Sequence, residues 1–278
     1  MEVRCVLTAR DEVDQDRIGT REWYDFVGNL ADVLPSLHLG GAKATRDLLE
    51  MCQLGPESQV LDIGCGSGLT AHEIAKNYGS RVVGIDISET MIDKAKAKFQ
   101  NLEKVEFRVA DAFQLPFEDC SFDVAIFESV LTPLPGEKMD ALREAIRVVQ
   151  LGGLVVANET VFYSSAPAEL LELADEHPAI HGMFTPEKLK DLFEESGLRV
   201  VNVTELRGSE VPSSAKEMGI LGILSFMIKS YWKILGKLLT DSRFRKAQRI
   251  DNRLTRMLKD HGGYVLIIGQ KPKRTALG

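Results

Sequence analysis

Between Gln59 and Asn158 the chain alternates short apolar runs with amphipathic helical stretches, and this rhythm restricts the fold more than any other feature. Strands are expected at Gln59–Ile63, Arg81–Asp86, Val105–Val109, Phe122–Phe127 and Gly153–Asn158. Helices are expected at Leu69–Tyr78, Glu89–Phe99 and Lys138–Val149. Strands separated by helices of this length pair in parallel, because the crossover must return to the same end of the sheet. The strand interiors V-A-I-F and L-V-V-A are apolar at consecutive positions, as burial on both faces requires. Upstream, 21–34 and 42–53 read as helices. Downstream, Pro186–Ser196 reads as a helix with Thr185 as N-cap, Leu198–Leu206 as a strand and Tyr264–Gln270 as a last strand.

The segment V-L-D-I-G-C-G-S-G (60–68) joins the first of these strands to the first helix. Gly64, Gly66 and Gly68 permit a tight turn and close approach of a ligand to the backbone. The helix behind them offers free N–H groups and a positive dipole end. A dinucleotide fingerprint would need its third glycine at position 69, which is Leu69, and Asp62 would repel a pyrophosphate but suits an ammonium group. These two departures count against a nicotinamide-dependent oxidoreductase. Asp86 closes the second strand, where a carboxylate can accept hydrogen bonds from both ribose hydroxyls. Asp111, followed by Ala112, closes the third, placed to accept a bond from an adenine amino group. All three acids fall at the carboxyl ends of neighbouring strands, the edge at which open α/β sheets bind ligands.

On these residues the chain resembles the class I S-adenosylmethionine (SAM)-dependent methyltransferases over roughly residues 40–206 and the final strand. The loop matches D-x-G-x-G-x-G, and D-A-F-Q-L-P-F (111–117) and A-L-R-E-A-I-R-V-V-Q-L-G-G (141–153) are typical, with Gln150-Leu151 where Lys-Pro is common. L-H-L-G-G-A-K-A-T-R-D-L-L (37–49) is similar to the quinone and sterol methyltransferase subgroup. The resemblance implies an α/β, Rossmann-like, doubly wound sheet of seven strands in the order 3-2-1-4-5-7-6, the last antiparallel. It implies SAM as cofactor, held by Asp62, Gly64, Cys65, Gly66, Gly68, Asp86, Ile87, Met91, Asp111, Ala112 and Glu128, with Tyr24 as a residue of an N-terminal lid. It divides the chain into a lid (1–55), a core (56–206), a helical cap inserted between strands 6 and 7 (207–262) and a closing strand with its tail (263–278).

The family's acceptor faces the ends of strands four and five, which are Glu128-Ser129 and Asn158-Glu159 here. Relatives often carry a His after strand four, whereas this chain has Thr132-Pro133-Leu134-Pro135. Glu128 and Glu159 are therefore the candidate catalytic groups, to orient an acceptor or take its proton, and hydrogen bonding to backbone or cofactor is the competing reading of both. No N/D-P-P-Y/F run is present, which argues against methylation of nucleic-acid bases. His177 and His181 stand four apart but are interrupted by Pro178, so no metal site is expected. Cys5, Cys52, Cys65 and Cys120 form no C-x-x-C pair and suit a reducing compartment.

The insertion departs from the family. Residues 219–228 are apolar, Lys229, Lys233 and Lys237 recur every four positions, and a basic helix is expected at 242–260. The uncharged run is far short of the ~20 residues a bilayer span needs. Residues 216–260 carry a net charge of +7 against −17 for 1–215. An acidic body with one basic segment makes a poor general nucleic-acid binder, since phosphate repels the body, and no nucleic-acid partner is expected. The insertion reads as a cap over an apolar pocket, as an interfacial element on a membrane surface, or as a dimer contact. With no apolar leader in the first twenty residues, the expected location is cytoplasmic, peripheral to a membrane under the second reading. The expected activity is methyl transfer by in-line SN2 displacement to a small, lipophilic, quinone-like acceptor. A soluble metabolite methylated at N, O or S is the alternative, with a non-catalytic SAM- or lipid-binding protein behind it.

Overall fold

A computed structural model of the chain describes residues 20–22, 24–25, 40–177, 180–207, 240 and 242–273. The apolar run 219–228, the lysine series and the first three residues of the 37–49 segment lie outside these residues, as does most of 21–34, of which the described positions are helical. Chain order is α1 (Gly41–Met51), β1 (Gln59–Ile63), α2 (Leu69–Tyr78), β2 (Arg81–Asp86), α3 (Glu89–Phe99), β3 (Val105–Val109), β4 (Phe122–Glu128), α4 (Lys138–Val148), β5 (Val149–Phe162), α5 (Ala168–Asp175), α6 (Pro186–Glu195), β6 (Arg199–Arg207), α7 (Ser242–His261) and β7 (Gly262–Gln270). The strands form one sheet in the order β3-β2-β1-β4-β5-β7-β6. Strands β1 to β5 run parallel, while β7 is antiparallel to both β5 and β6.

The consecutive apolar residues of the central strands divide between two cores, because successive side chains of a strand leave opposite faces. Leu61, Phe127 and Val155 pack beneath α4 and α6 with Ala141, Leu142, Leu189 and Phe193. Their neighbours Val60, Ile126 and Val156 pack on the other face, beneath α1, α2 and α3, with Leu48, Leu49, Ile74 and Ile92. Helix starts follow their caps: Ser88 accepts from the Met91 N–H, and Thr185 from the Lys188 N–H with Pro186 behind it.

Two elements differ from expectation. Strand β5 extends from Val149 to Phe162, well past the apolar run, because β7 returns alongside it from Leu154 to Phe162. Helix α5 has no counterpart in the sequence reading. It is a short, acid-rich segment held by a third cluster in which Leu170 and Ala174 meet Ile250 and Leu254 of α7 and Phe162 of β5. The basic helix α7 thus exists as expected and buries an apolar stripe within the molecule. Its cations also meet the body's acids, Lys246 with Glu176 at 3.0 Å and Arg253 with Glu169. No helix among the described residues is long and apolar enough to cross a membrane.

Candidate functional site

At the carboxyl ends of β1, β2 and β4 lies a cleft lined by Asp62, Gly64, Cys65, Gly66, Asp86, Ile87, Met91, Asp111, Ala112 and Glu128, and by Tyr24 from the N-terminal segment. The parallel register places the acids on one edge, since Asp62 stands opposite Gly84 of β2 and Ile126 of β4, and Asp86 opposite Val109 of β3. Two expected residues do not line the cleft. Gly68 instead forms the left-handed N-cap of α2 at φ 81°, where a Cβ would lie 2.6 Å from the Phe107 ring. Glu159 lies on the far face of β5 and is fully buried.

Gly64 has φ 69°, and a Cβ there would come within 2.4 Å of a Val130 methyl, whereas Gly66, at φ 52°, would meet nothing within 4 Å. The loop therefore leaves the cleft open beside Gly66 and closes tightly at Gly64 and Gly68. A Gly68→Ala exchange is expected to cost roughly 1–2 kcal/mol in left-handed backbone strain alone, and more from the Phe107 clash. A melting curve should show the loss, and cofactor affinity should fall with it as α2 shifts.

The carboxylates differ in their surroundings. Asp86 accepts the Gly66 N–H on Oδ2 and the Ser88 N–H on Oδ1, both at 2.9 Å, which fixes its carboxylate at the cleft edge. Burial pushes its carboxyl up to about 6, with those N–H groups pulling the other way. Asp111 accepts the Phe113 N–H at 2.9 Å. Asp62 is buried, and its Oδ2 has no hydrogen-bond partner. Burial, then the nearby charges of Glu128 and Asp86, holds its carboxyl well above the usual range. Glu128 receives the Thr45 hydroxyl at 3.0 Å and the Thr70 hydroxyl at 2.6 Å, tying β4 to α1 and α2. An orphaned buried carboxylate oxygen among further acids needs a cation, and an ammonium group meets that need.

Glu159 contributes to the site only indirectly. Its two oxygens accept the N–H groups of Val130, Leu131 and Thr132 and the Thr132 hydroxyl, at 2.8, 2.8, 3.2 and 2.8 Å. That usage satisfies the carboxylate's whole acceptor capacity and fixes the loop after β4. The expectation that Glu159 orients an acceptor or takes its proton is corrected accordingly. The strand continues to Phe162, so Glu159 sits mid-strand and points away from the cleft that Glu128 faces.

Several lining residues were not singled out as such in the sequence: Thr20, Thr45, Thr70 and Glu73, with Phe113, Val130, Pro133 and Leu134, and Ser129 at the end of strand four lines the cleft beside them. Thr45 and Thr70 lie on different helices and meet only at Glu128, so no spacing announces them. Ser129, at φ 54°, carries left-handed backbone at the strand end, which its side chain does not favour. Five carboxylates and no Lys, Arg or His line the cleft among the described residues.

Residues 60–153 match the family profile described as a methyltransferase domain. An uncharacterized protein of Haemophilus influenzae is 35% identical over 202 residues, covering 69% of this chain and 79% of its own length. The demethylmenaquinone methyltransferase of Staphylococcus aureus is 40% identical over 104 residues, 37% of this chain and 43% of that enzyme. Among solved structures, the [4+2]-cyclase SpnF superposes with a TM-score of 0.72 at 20% identity, over 93% of this chain and 96% of that one, and so shares the fold.

Proposed function

The chain belongs to the class I SAM-dependent methyltransferases, and from that premise we propose that it methylates a small, lipophilic, quinone-like acceptor. SAM is the cofactor. The orphaned Oδ2 of Asp62 fits its ammonium group, Asp86 its ribose hydroxyls and Asp111 its adenine edge. When bound it supplies an activated methyl group on a sulfonium, ready for in-line displacement. The protein's task is then alignment, which contributes up to ~7–11 kcal/mol of a barrier. Ile87, Met91 and Tyr24 line the same cleft, which supports assigning the first two to the cofactor and Tyr24 to a lid.

The observation that carries the acceptor reading is the lining beyond the acids. Val130, Pro133, Leu134 and Phe113 present apolar surface there, and no described cation is available to hold a phosphate or carboxylate. The likeness to a demethylmenaquinone methyltransferase points the same way. The basic segment extends the proposal to peripheral contact with an anionic membrane, where such acceptors reside. On α7, Arg249 and Arg256 are exposed while Ile250 and Leu254 are buried.

The test incubates the purified protein with methyl-labelled SAM and an extract of cells carrying this sequence, followed by phase partition. Label in the organic phase is expected. Label confined to the aqueous small-molecule fraction would overturn the lipophilic acceptor in favour of a soluble metabolite.

A further inference from the structure

The loop after β4 carries no histidine, yet the fold brings one to that place from about fifty residues downstream. His181 donates its backbone N–H to the Thr132 carbonyl at 3.0 Å, and its own carbonyl accepts the Lys138 amine at 2.6 Å. Its ring Nε2 lies 2.8 Å from the hydroxyl of Thr20. Thr20 comes from the N-terminal segment, is buried and lines the cleft alongside Val130 and Leu134. A hydroxyl on a residue of the cleft wall, backed by an imidazole, is a two-step path for a proton. Among the described residues, the two candidate acids offer no replacement at this end. Glu159 is fully used by the loop, and Glu128 is tied to Thr45 and Thr70 on the side of Asp62.

We propose that Thr20 and His181 form a proton relay for an acceptor whose nucleophilic atom carries a proton, such as a phenolic hydroxyl. This rests on the methyltransferase reading. As the acceptor oxygen forms its bond to the methyl carbon, the carbon–sulfur bond breaks and its electron pair stays on sulfur. The acceptor's proton passes to the Thr20 oxygen while the Thr20 proton passes to His181 Nε2. Thr20 is the group that touches the acceptor, and His181 acts through it. The relay needs Nε2 bare, hence the proton on Nδ1, so transfer rises with pH as the imidazolium deprotonates. Among the described residues, the charged groups tied to His181 or to its backbone partner are Lys138 on its carbonyl and Glu159 beyond Thr132. Burial pushes the Lys138 amine down to about 8, so its deprotonation affects the alkaline side of the profile and not the acid limb.

The test compares wild type with Thr20→Val, Thr20→Ser and His181→Gln in label transfer from methyl-labelled SAM to the extract between pH 5.5 and 9, with S-adenosylhomocysteine affinity measured alongside. Loss of general-base assistance is worth typically ~10²–10⁴-fold in rate. Thr20→Val and His181→Gln are expected to lose about that much with affinity for S-adenosylhomocysteine unchanged, and His181→Gln to lose the acid limb. Thr20→Ser, which keeps the hydroxyl, should retain most of the rate. Wild-type rates in Thr20→Val, or an acid limb that survives in His181→Gln, would overturn the relay. Nitrogen NMR of the wild-type protein with S-adenosylhomocysteine reads the tautomer independently of any acceptor. An unprotonated Nε2 that shifts in Thr20→Val supports the relay, and a protonated Nε2 defeats it even if label transfer proceeds. Absence of transfer by wild type defeats the acceptor reading instead.

Discussion

Asp62→Asn should weaken S-adenosylhomocysteine binding by about 10- to 100-fold and yet raise the melting temperature of the ligand-free protein at pH 8. The first effect is the loss of a hydrogen bond between two charged groups, worth ~1.5–3 kcal/mol. The second follows from the carboxyl's surroundings. Asp62 is buried, one oxygen has no partner, and Glu128 and Asp86 add like charge, so its folded-state pKa is raised. The folded protein then holds that proton more tightly than the unfolded chain. Stability is full below the ordinary carboxylate value of ~3.9 and falls as pH climbs from there through the raised value. Asparagine does not ionise and avoids that loss. Its melting advantage should therefore be small at pH 5 and larger at pH 8, and saturating S-adenosylhomocysteine should reduce it by stabilising wild type more than the variant. Calorimetric titration and melts at the two pH values check both halves. Equal affinity, or an advantage that shrinks with pH, would remove Asp62 from the ammonium site.

Glu159→Leu should be the more damaging change to the fold. It strands three backbone N–H groups and a hydroxyl in a dry environment, at a cost of ~3–5 kcal/mol. For a chain of this size that corresponds to roughly 6–20 °C in melting temperature. The loop from Val130 to Thr132 would lose its anchor, and with it the wall formed by Val130, Pro133 and Leu134. Glu159→Gln keeps one acceptor oxygen and should fall between the two. Its transfer rate, measured at a temperature where it is folded, should stay near wild type. A thousandfold rate loss in Glu159→Gln with an unchanged melting curve would return Glu159 to the chemistry.

Much of the acid-lined part of the cleft was legible along the chain. Asp62, Asp86 and Asp111 end successive strands, and a parallel sheet must bring successive strand ends to one edge. The part around Glu128 and the loop after β4 was not. Glu128 and Glu159 look equivalent as acids near two strand ends, but β7 extends β5 by pairing with it, and strand parity then sends Glu159 to the opposite face. Glu128 gains its meaning from Thr45 and Thr70, on helices whose approach depends on packing against both sides of β4. His181 showed nothing in sequence beyond a spacing of four from His177. Its position beside Thr20 follows from contacts between residues 161 apart.

The sequence alone determined the alternating α/β architecture, the strand ends that carry the acids and the turn that opens the cleft. Each depends on local periodicity and on the conformations its own residues allow. Only the tertiary structure decided which acid is left without a partner, which one ties down a loop, and which hydroxyl meets an imidazole. Those outcomes depend on burial and on partners contributed by distant segments, and no pattern within a single element encodes them.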